Sequence, residues 1–255
     1  MTICNIVIPS LSRADILCQR TLPLLLNYLV DASNIYVFVV AEEEAIYRER
    51  IKNKSVNIIV GKKGIKEQRG FISNYFEEGD YILTLDDDIK RIEELEGNKL
   101  VALKSLNALN EKVLTLMKEN ESRCCGIYPT NNPYFMKPIT THNLKFCIGA
   151  MRWYINDRQI ESSRTFTLLE DYEMSMKYYL KYKTITRLSF IAIEHDFNKL
   201  SGGLKSTTDR SFKSKQNEVM EFQENYKLYT TINDRYLKSG RHIDIRFKKC
   251  RNNSK

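Results

Sequence analysis

The chain is poor in several residues that commonly define a protein's chemistry. It has three His in 255 residues, so imidazole is scarce. Its six Cys are Cys4, Cys18, Cys124, Cys125, Cys147 and Cys250, and no two stand in a C-x-x-C spacing. Zinc sites and a disulfide framework are thereby disfavoured, and reduced, mostly buried thiols are expected. Five Pro and ten Gly leave no room for a long linker or a low-complexity spacer, and no internal repeat is visible. No apolar run reaches the roughly 18 residues of a membrane span. The short apolar run at 3–8 has no basic stretch before it. It therefore reads as a strand rather than a signal peptide, and the cytoplasm is the expected location.

What remains is a folded chain, 42% apolar and 11% aromatic, long enough to bury a sizeable core. Its formal charge of +8 is unevenly placed: residues 196–255 carry fourteen Lys and Arg against seven Asp and Glu. A basic terminal region can neutralise phosphates or serve as a solvated surface.

The first ninety residues alternate strand and helix. Apolar runs at 3–8, 35–40, 56–60 and 81–85 read as strands. Residues 15–30, 42–52 and 65–76 read as the intervening helices, with Asp15 as an N-cap. Unbroken apolar strands separated by helices imply a mostly parallel sheet covered on both faces. In such sheets the loops after the strands gather on one edge, where ligands bind. The second half is less regular. A helix is expected over 99–118, strands at 125–128 and 144–148, a loop at 129–138, a helix at 168–182 and a strand or hairpin arm at 184–193. A polar mobile loop is expected over 200–216, then a Tyr- and Phe-rich helix over 218–233 and a basic tail. The expected division is a main domain over 1–217 and a basic helical tail over 218–255.

Asp86-Asp87-Asp88 directly follows the strand at 81–85. Three adjacent carboxylates repel one another and call for a counter-charge. Mg²⁺ or Mn²⁺ takes carboxylate oxygens and bridges readily to phosphate. With extended backbone through the triplet, Asp86 and Asp88 project together as a metal-binding pair. Asp87 then points elsewhere, towards donor hydroxyls or structural donors. At the same edge, Gly64 precedes a helix start that would attract an anion, and Arg69 lies one turn into that helix. Ser201-Gly202-Gly203-Leu204-Lys205 suggests a loop closing over a diphosphate through Lys205.

The strand-plus-acid arrangement resembles the D-x-D element of GT-A fold glycosyltransferases. Three segments, IVIPSLSR (6–13), GIKEQRGFI (64–72) and YILTLDDDI (81–89), resemble a narrower group: glycosyltransferases associated with DNA base hydroxylases, akin to the base J glucosyltransferase and its phage and viral relatives. This likeness covers residues 3–92, is weaker over 145–205 and is absent from the tail. It implies a metal-dependent transfer of sugar from a UDP-linked donor to a hydroxyl. Pro9, Ser10 and Arg13 would cradle the nucleotide, and Gly149 and Ala150 would pack under the donor sugar. Asp171, or secondarily Glu170, would be the base on the acceptor, and His195 a further metal ligand. For a phage or viral chain the location would be the host cytoplasm.

The acceptor implied is a hydroxymethylated pyrimidine in DNA. Tyr226, Tyr229 and Tyr236 interleave with Lys227, Arg235, Lys238 and Arg241, as base stacking and phosphate tracking require. Tyr226 and Tyr229 also lie at helical spacing, which suits a core role equally. A glycan or protein acceptor remains open. A sugar-phosphate nucleotidyltransferase is disfavoured, because residues 9–13 contain no Gly. A non-catalytic nucleic-acid-binding module has no need of the acidic triplet.

Overall fold

The computed structural model describes residues 3–195, 203, 209–237 and 240–249. Its centre is an eight-stranded sheet. Four strands form the parallel half: β1 (Asn5–Pro9), β2 (Ile35–Val39), β3 (Asn57–Val60) and β4 (Tyr81–Leu85). They lie in the order β3-β2-β1-β4, all neighbours parallel. Side chains alternate across this sheet. Ile6, Ile8, Leu83 and Leu85 enter one buried cluster with Leu17, Leu25, Leu106 and Val113. Val7, Phe38 and Ile82 enter a second, on the opposite face, with Ile72, Phe76, Met174 and Tyr178. Burial on both faces is why β1, β2 and β4 read as unbroken apolar runs, whereas β3 at the sheet edge is only partly buried.

Beyond β4 the sheet continues through β9 (Met151–Ile155), β7 (Cys124–Ile127), β10 (Thr186–Leu188) and β8 (Thr140–His142). β9 is antiparallel to both β4 and β7, and β8 is antiparallel to β10. A smaller sheet orders β11 (Ile191–His195), β5 (Ile89–Glu96) and β6 (Lys99–Ala102). The fold is thus the expected α/β one, with a mostly parallel sheet flanked by helices.

Several local expectations are corrected. Residues 15–30 form two short helices, α1 (Ala14–Gln19) and α2 (Thr21–Asn27), separated at Arg20. Pro23 has no N–H to give to the carbonyl four residues back, so one continuous helix is not available. Arg13, not Asp15, occupies the N-cap position of α1. The charged helix is shorter than expected, α3 (Glu44–Arg50), and the next is α4 (Ile65–Tyr75).

Residues 99–102 are strand rather than helix. Gly97, with φ of 60°, turns β5 back into β6. Ser105 then caps α5 (Leu106–Glu119) by accepting from the Ala108 amide at 3.2 Å. The strand expected at 144–148 does not form. That segment packs irregularly on the sheet over Gly126, where an added Cβ would meet the Cys147 sulfur at 2.5 Å.

The helices α6 (Arg158–Glu161) and α7 (Glu170–Tyr182) follow β9. The C-terminal region differs most from expectation. Ser211 caps α8 (Phe212–Asn225), and a hairpin of β12 (Thr230–Leu237) and β13 (Gly240–Phe247) replaces the expected helical tail. Ile243 and Ile245 of the hairpin bury against Val219 and Phe222 of α8 and Met176 of α7. Tyr226 and Tyr229 pack against this same cluster, so apolar packing engages both, while Tyr236 is 78% exposed. Among the described residues no helix is long and apolar enough to cross a membrane.

Candidate functional site

Asp86 directly follows β4, and Asp87 and Asp88 form a turn into β5, so the triplet is not one extended segment. The turn is fixed from below. The Asp86 amide donates to the Ala150 carbonyl at 3.0 Å. The Thr21 hydroxyl donates to the Asp86 carbonyl at 2.8 Å and accepts from the Ile89 amide at 2.9 Å. Thr21 carried no sequence signal, yet it ties both ends of the acidic turn to the start of α2.

Despite the turn, Asp86 and Asp88 converge. Each offers an oxygen, and His195 a ring nitrogen, with all three ligand atoms within 4.8 Å of one another. His195 reaches the site from the last residue of β11, in register with Ile89 beside the triplet. The register shifts between Glu194 and His195, a bulge of the kind that re-aims a side chain. The Asp88 carboxylate is buried, and its Oδ1 has no hydrogen-bond partner. An orphaned carboxylate oxygen beside a second carboxylate and an imidazole fits a hard or borderline divalent cation such as Mn²⁺ or Mg²⁺. Ligand atoms about 2.1 Å from Mg²⁺ lie at most about 4.2 Å apart, so a small side-chain adjustment closes this set.

Asp87 does point away, but towards the protein. Its carboxylate accepts from Ser10 Oγ at 2.6 Å and from the Arg13 guanidinium at 3.1 Å. Ser10 is also bonded to the Tyr47 hydroxyl at 2.7 Å, which accepts from the Arg13 amide at 3.2 Å. Asp87 and the buried Tyr47 therefore anchor the loop after β1. Arg13 also stands 3.6 Å from Asp88, placing its charge against the acidic pair.

These groups lie at an open cleft at the carboxyl edge of β1–β4. Pro9, Ser10, Arg13, Gly64, Arg69, Asp86, Asp87, Asp88 and His195 all border it, as do Lys62 and Arg210. Gly64 sits at the start of α4 with φ of 101°, a conformation that favours glycine. Gly203 donates its amide to the Leu11 carbonyl at 3.1 Å, so this part of the expected closing loop lies over the β1 loop. Lys205 falls outside the described residues.

Arg69 is buried, and its guanidinium donates to the Thr84 hydroxyl. It borders the cleft and belongs to a charged layer beneath it. There Glu161 pairs with Arg152 at 3.1 Å and Arg164 at 2.6 Å, and Glu170 pairs with Arg164 at 2.9 Å. Burial alone would raise the Glu161 carboxyl, but Arg152 and Arg164 outweigh it and hold the group at about 2. Burial is likewise outweighed at Glu170 by Arg164, Arg69 and Arg152, so its carboxyl lies below the usual range. Asp86 behaves oppositely: burial, joined by Asp88, Asp87 and Asp171, outweighs Arg69 and raises it to about 7.

The two acids proposed for the acceptor side are thus distinguished. Glu170 is committed to Arg164. Asp171 accepts a hydrogen bond from the Gly149 backbone, and burial together with the Glu170 charge raises its carboxyl to about 7. A Cβ on Gly149 would lie 2.2 Å from Asp171 Oδ1. The small residue at 149 therefore makes room for Asp171, a reason the sequence did not reveal. Ala150 is buried in the core, and neither it nor Gly149 borders the cleft.

No family model and no curated protein sequence matches the chain. Solved structures do. Glucosyl-3-phosphoglycerate synthase from Mycobacterium tuberculosis, in complex with Mn²⁺, UDP and phosphoglyceric acid, is similar over 96% of this chain and 87% of its own, with 10% identity and a TM-score of 0.50. Mannosyl-3-phosphoglycerate synthase from Rubrobacter xylanophilus aligns over 97% of this chain and 85% of its own, at 8% identity and a TM-score of 0.46. 4-Diphosphocytidyl-2C-methyl-D-erythritol synthase from Anaerococcus prevotii aligns over 87% and 99%, at 9% identity and 0.46. At such identities the likeness is one of fold, and that fold is the GT-A, Rossmann-like α/β class.

Proposed function

We propose that the chain is a metal-dependent glycosyltransferase that moves a sugar from a UDP-linked donor to a hydroxyl acceptor. The observation that carries this reading is the convergence of Asp86, Asp88 and His195 at the mouth of a cleft bordered by Arg13, Lys62, Arg69 and Arg210. Acids that gather a cation, facing cations that attract an anion, suit a metal-bridged diphosphate. The Mn²⁺ and UDP bound to the similar mycobacterial synthase are in keeping with it. A divalent cation on Asp86, Asp88 and His195 would act as a Lewis acid on the leaving diphosphate.

The other residues take roles from their positions. Asp87 and Tyr47 hold the loop 9–13 in shape to receive the nucleotide, and the Arg13 guanidinium offers a planar fork for phosphate oxygens. Asp171, with its carboxyl near 7, is poised to accept the acceptor hydroxyl's proton as that oxygen bonds to the anomeric carbon and the carbon–diphosphate bond breaks. This is an inverting displacement.

For the acceptor we favour a hydroxymethylated pyrimidine in DNA. The support is the sequence resemblance, the exposed Tyr236, and the basic hairpin carrying Arg235 and Arg246. The test is incubation with UDP-sugars and Mn²⁺ on hydroxymethylated and plain DNA, followed by mass analysis of the nucleosides. A hexose or pentose mass gain confined to the modified base is expected. Metal-dependent UDP release without that gain would retain the enzyme class and reject the DNA acceptor.

A further inference from the structure

A second pocket lies where the 143–146 segment meets the end of β13, away from the residues that border the donor cleft. Lys145, Arg187, Lys248 and Lys249 line it, with the rings of Phe146 and Tyr172, and among the described residues no carboxylate does. The two rings stack at 4.3 Å between centroids. Tyr172 directly follows Asp171 on α7.

Arg187 is the informative member. It sits on β10 between Thr186 and Leu188, both of which are buried. Its register partners are Gly126 and Thr141. The guanidinium rests over the Tyr128 ring at 5.4 Å, and its Nε has no hydrogen-bond partner. Burial holds its pKa below the ordinary arginine value, and its electrostatic neighbours are Cys147 and Tyr128 rather than any acid. A partly buried guanidinium without a carboxylate is costly to maintain. Here it faces a pocket whose other charges are also positive, an arrangement that an anion from outside would complete.

We propose that this pocket binds a phosphate group, with Arg187 as its principal donor and Lys249 as a supporting charge at the rim. Its place beside Tyr172 makes it the anchor for a phosphate-bearing acceptor, an assignment that rests on the glycosyltransferase reading, whereas phosphate binding itself does not. The phosphate could come from a small phosphorylated molecule or from a nucleic-acid backbone, and both present the same oxygens.

The test uses the full chain with UDP and Mg²⁺ present. Inorganic phosphate, ribose 5-phosphate and a single-stranded oligonucleotide are titrated, with amide shifts followed by NMR. Shifts at 145–146, 187 and 247–249 are expected. Arg187→Gln should weaken phosphate binding at least tenfold. Lys249→Glu, at an exposed position that leaves folding intact, should weaken it several-fold. Lys62→Gln, in the donor cleft, should leave it unchanged. Saturation by ribose 5-phosphate assigns a small acceptor, and binding by the oligonucleotide alone assigns a nucleic-acid backbone. Absence of binding by all three probes, or binding indifferent to both Arg187→Gln and Lys249→Glu, overturns the proposal. Loss of UDP binding in Asp86→Asn with these shifts intact would instead bear on the donor cleft alone.

Discussion

His195 and Asp88 face each other across the junction of the two sheets, Nδ1 to Oδ1 at 3.8 Å. They are 107 positions apart in sequence and meet because β11 runs antiparallel to β5 with its bulge at the last pair. This closure converts an acidic turn into a three-donor set. It also gives a first expectation. Mn²⁺ should stabilise the wild-type chain by about 2.7 kcal/mol at a hundredfold excess over Kd, raising Tm by roughly 5–10 °C for a chain of this size. His195→Ala should lose most of that increment, and Asp88→Asn all of it, in a thermal scan with and without metal. Equal increments in all three proteins would exclude these residues as ligands.

Asp171 sets a pH dependence of known sign. Its carboxyl is raised from 3.8 to about 7, by burial first and the Glu170 charge second. As pH climbs from about 4 to 7, the unfolded chain releases this proton before the folded chain does. Stability contributed by the group is therefore lost across that window. Asp171→Asn should melt several degrees above wild type at pH 8 and show no advantage at pH 4. The same substitution should lower kcat by about 10²–10⁴ if Asp171 is the base. A gain in stability with full activity would leave Asp171 a structural residue only.

Gly149 tests the same carboxylate from the opposite side. A methyl group there would stand 2.2 Å from Asp171 Oδ1, so Gly149→Ala must displace the acid. A loss of kcat on the order of a hundredfold is expected, as for other displacements of about 1 Å at reacting groups. UDP affinity, read by calorimetry, should stay at the wild-type value. A parallel loss of UDP affinity would mean that Gly149 serves the donor instead.

The parallel half of the sheet was legible because β1, β2 and β4 are buried on both faces and so carry unbroken apolar runs. The acidic triplet was legible as a site because β4 delivers it to the ligand edge. What was not legible depended on contacts distant in sequence. For Asp87 the residues leave donor hydroxyls and structural donors open; Ser10 and Arg13 engage it, contacts that no spacing rule encodes. Arg69, one turn into α4, is legible as a residue of the ligand edge, and it borders the cleft, but its burial against Thr84 is not legible. In the tail, Ile243 and Ile245 alternate as a strand requires. The surrounding Arg, Lys and His obscure that period, so the segment reads as a basic tail rather than as the second strand of a hairpin.

UDP affinity, measured by calorimetry with and without Mn²⁺ on wild type and on Asp88→Asn, tests the donor-site assignment most directly. Wild type should bind UDP at least about tenfold more tightly with the metal, a difference of about 1.4 kcal/mol, and Asp88→Asn should bind equally weakly in both conditions. UDP binding that ignores the metal in wild type, or that keeps its metal dependence in Asp88→Asn, would contradict a cation held by Asp86, Asp88 and His195.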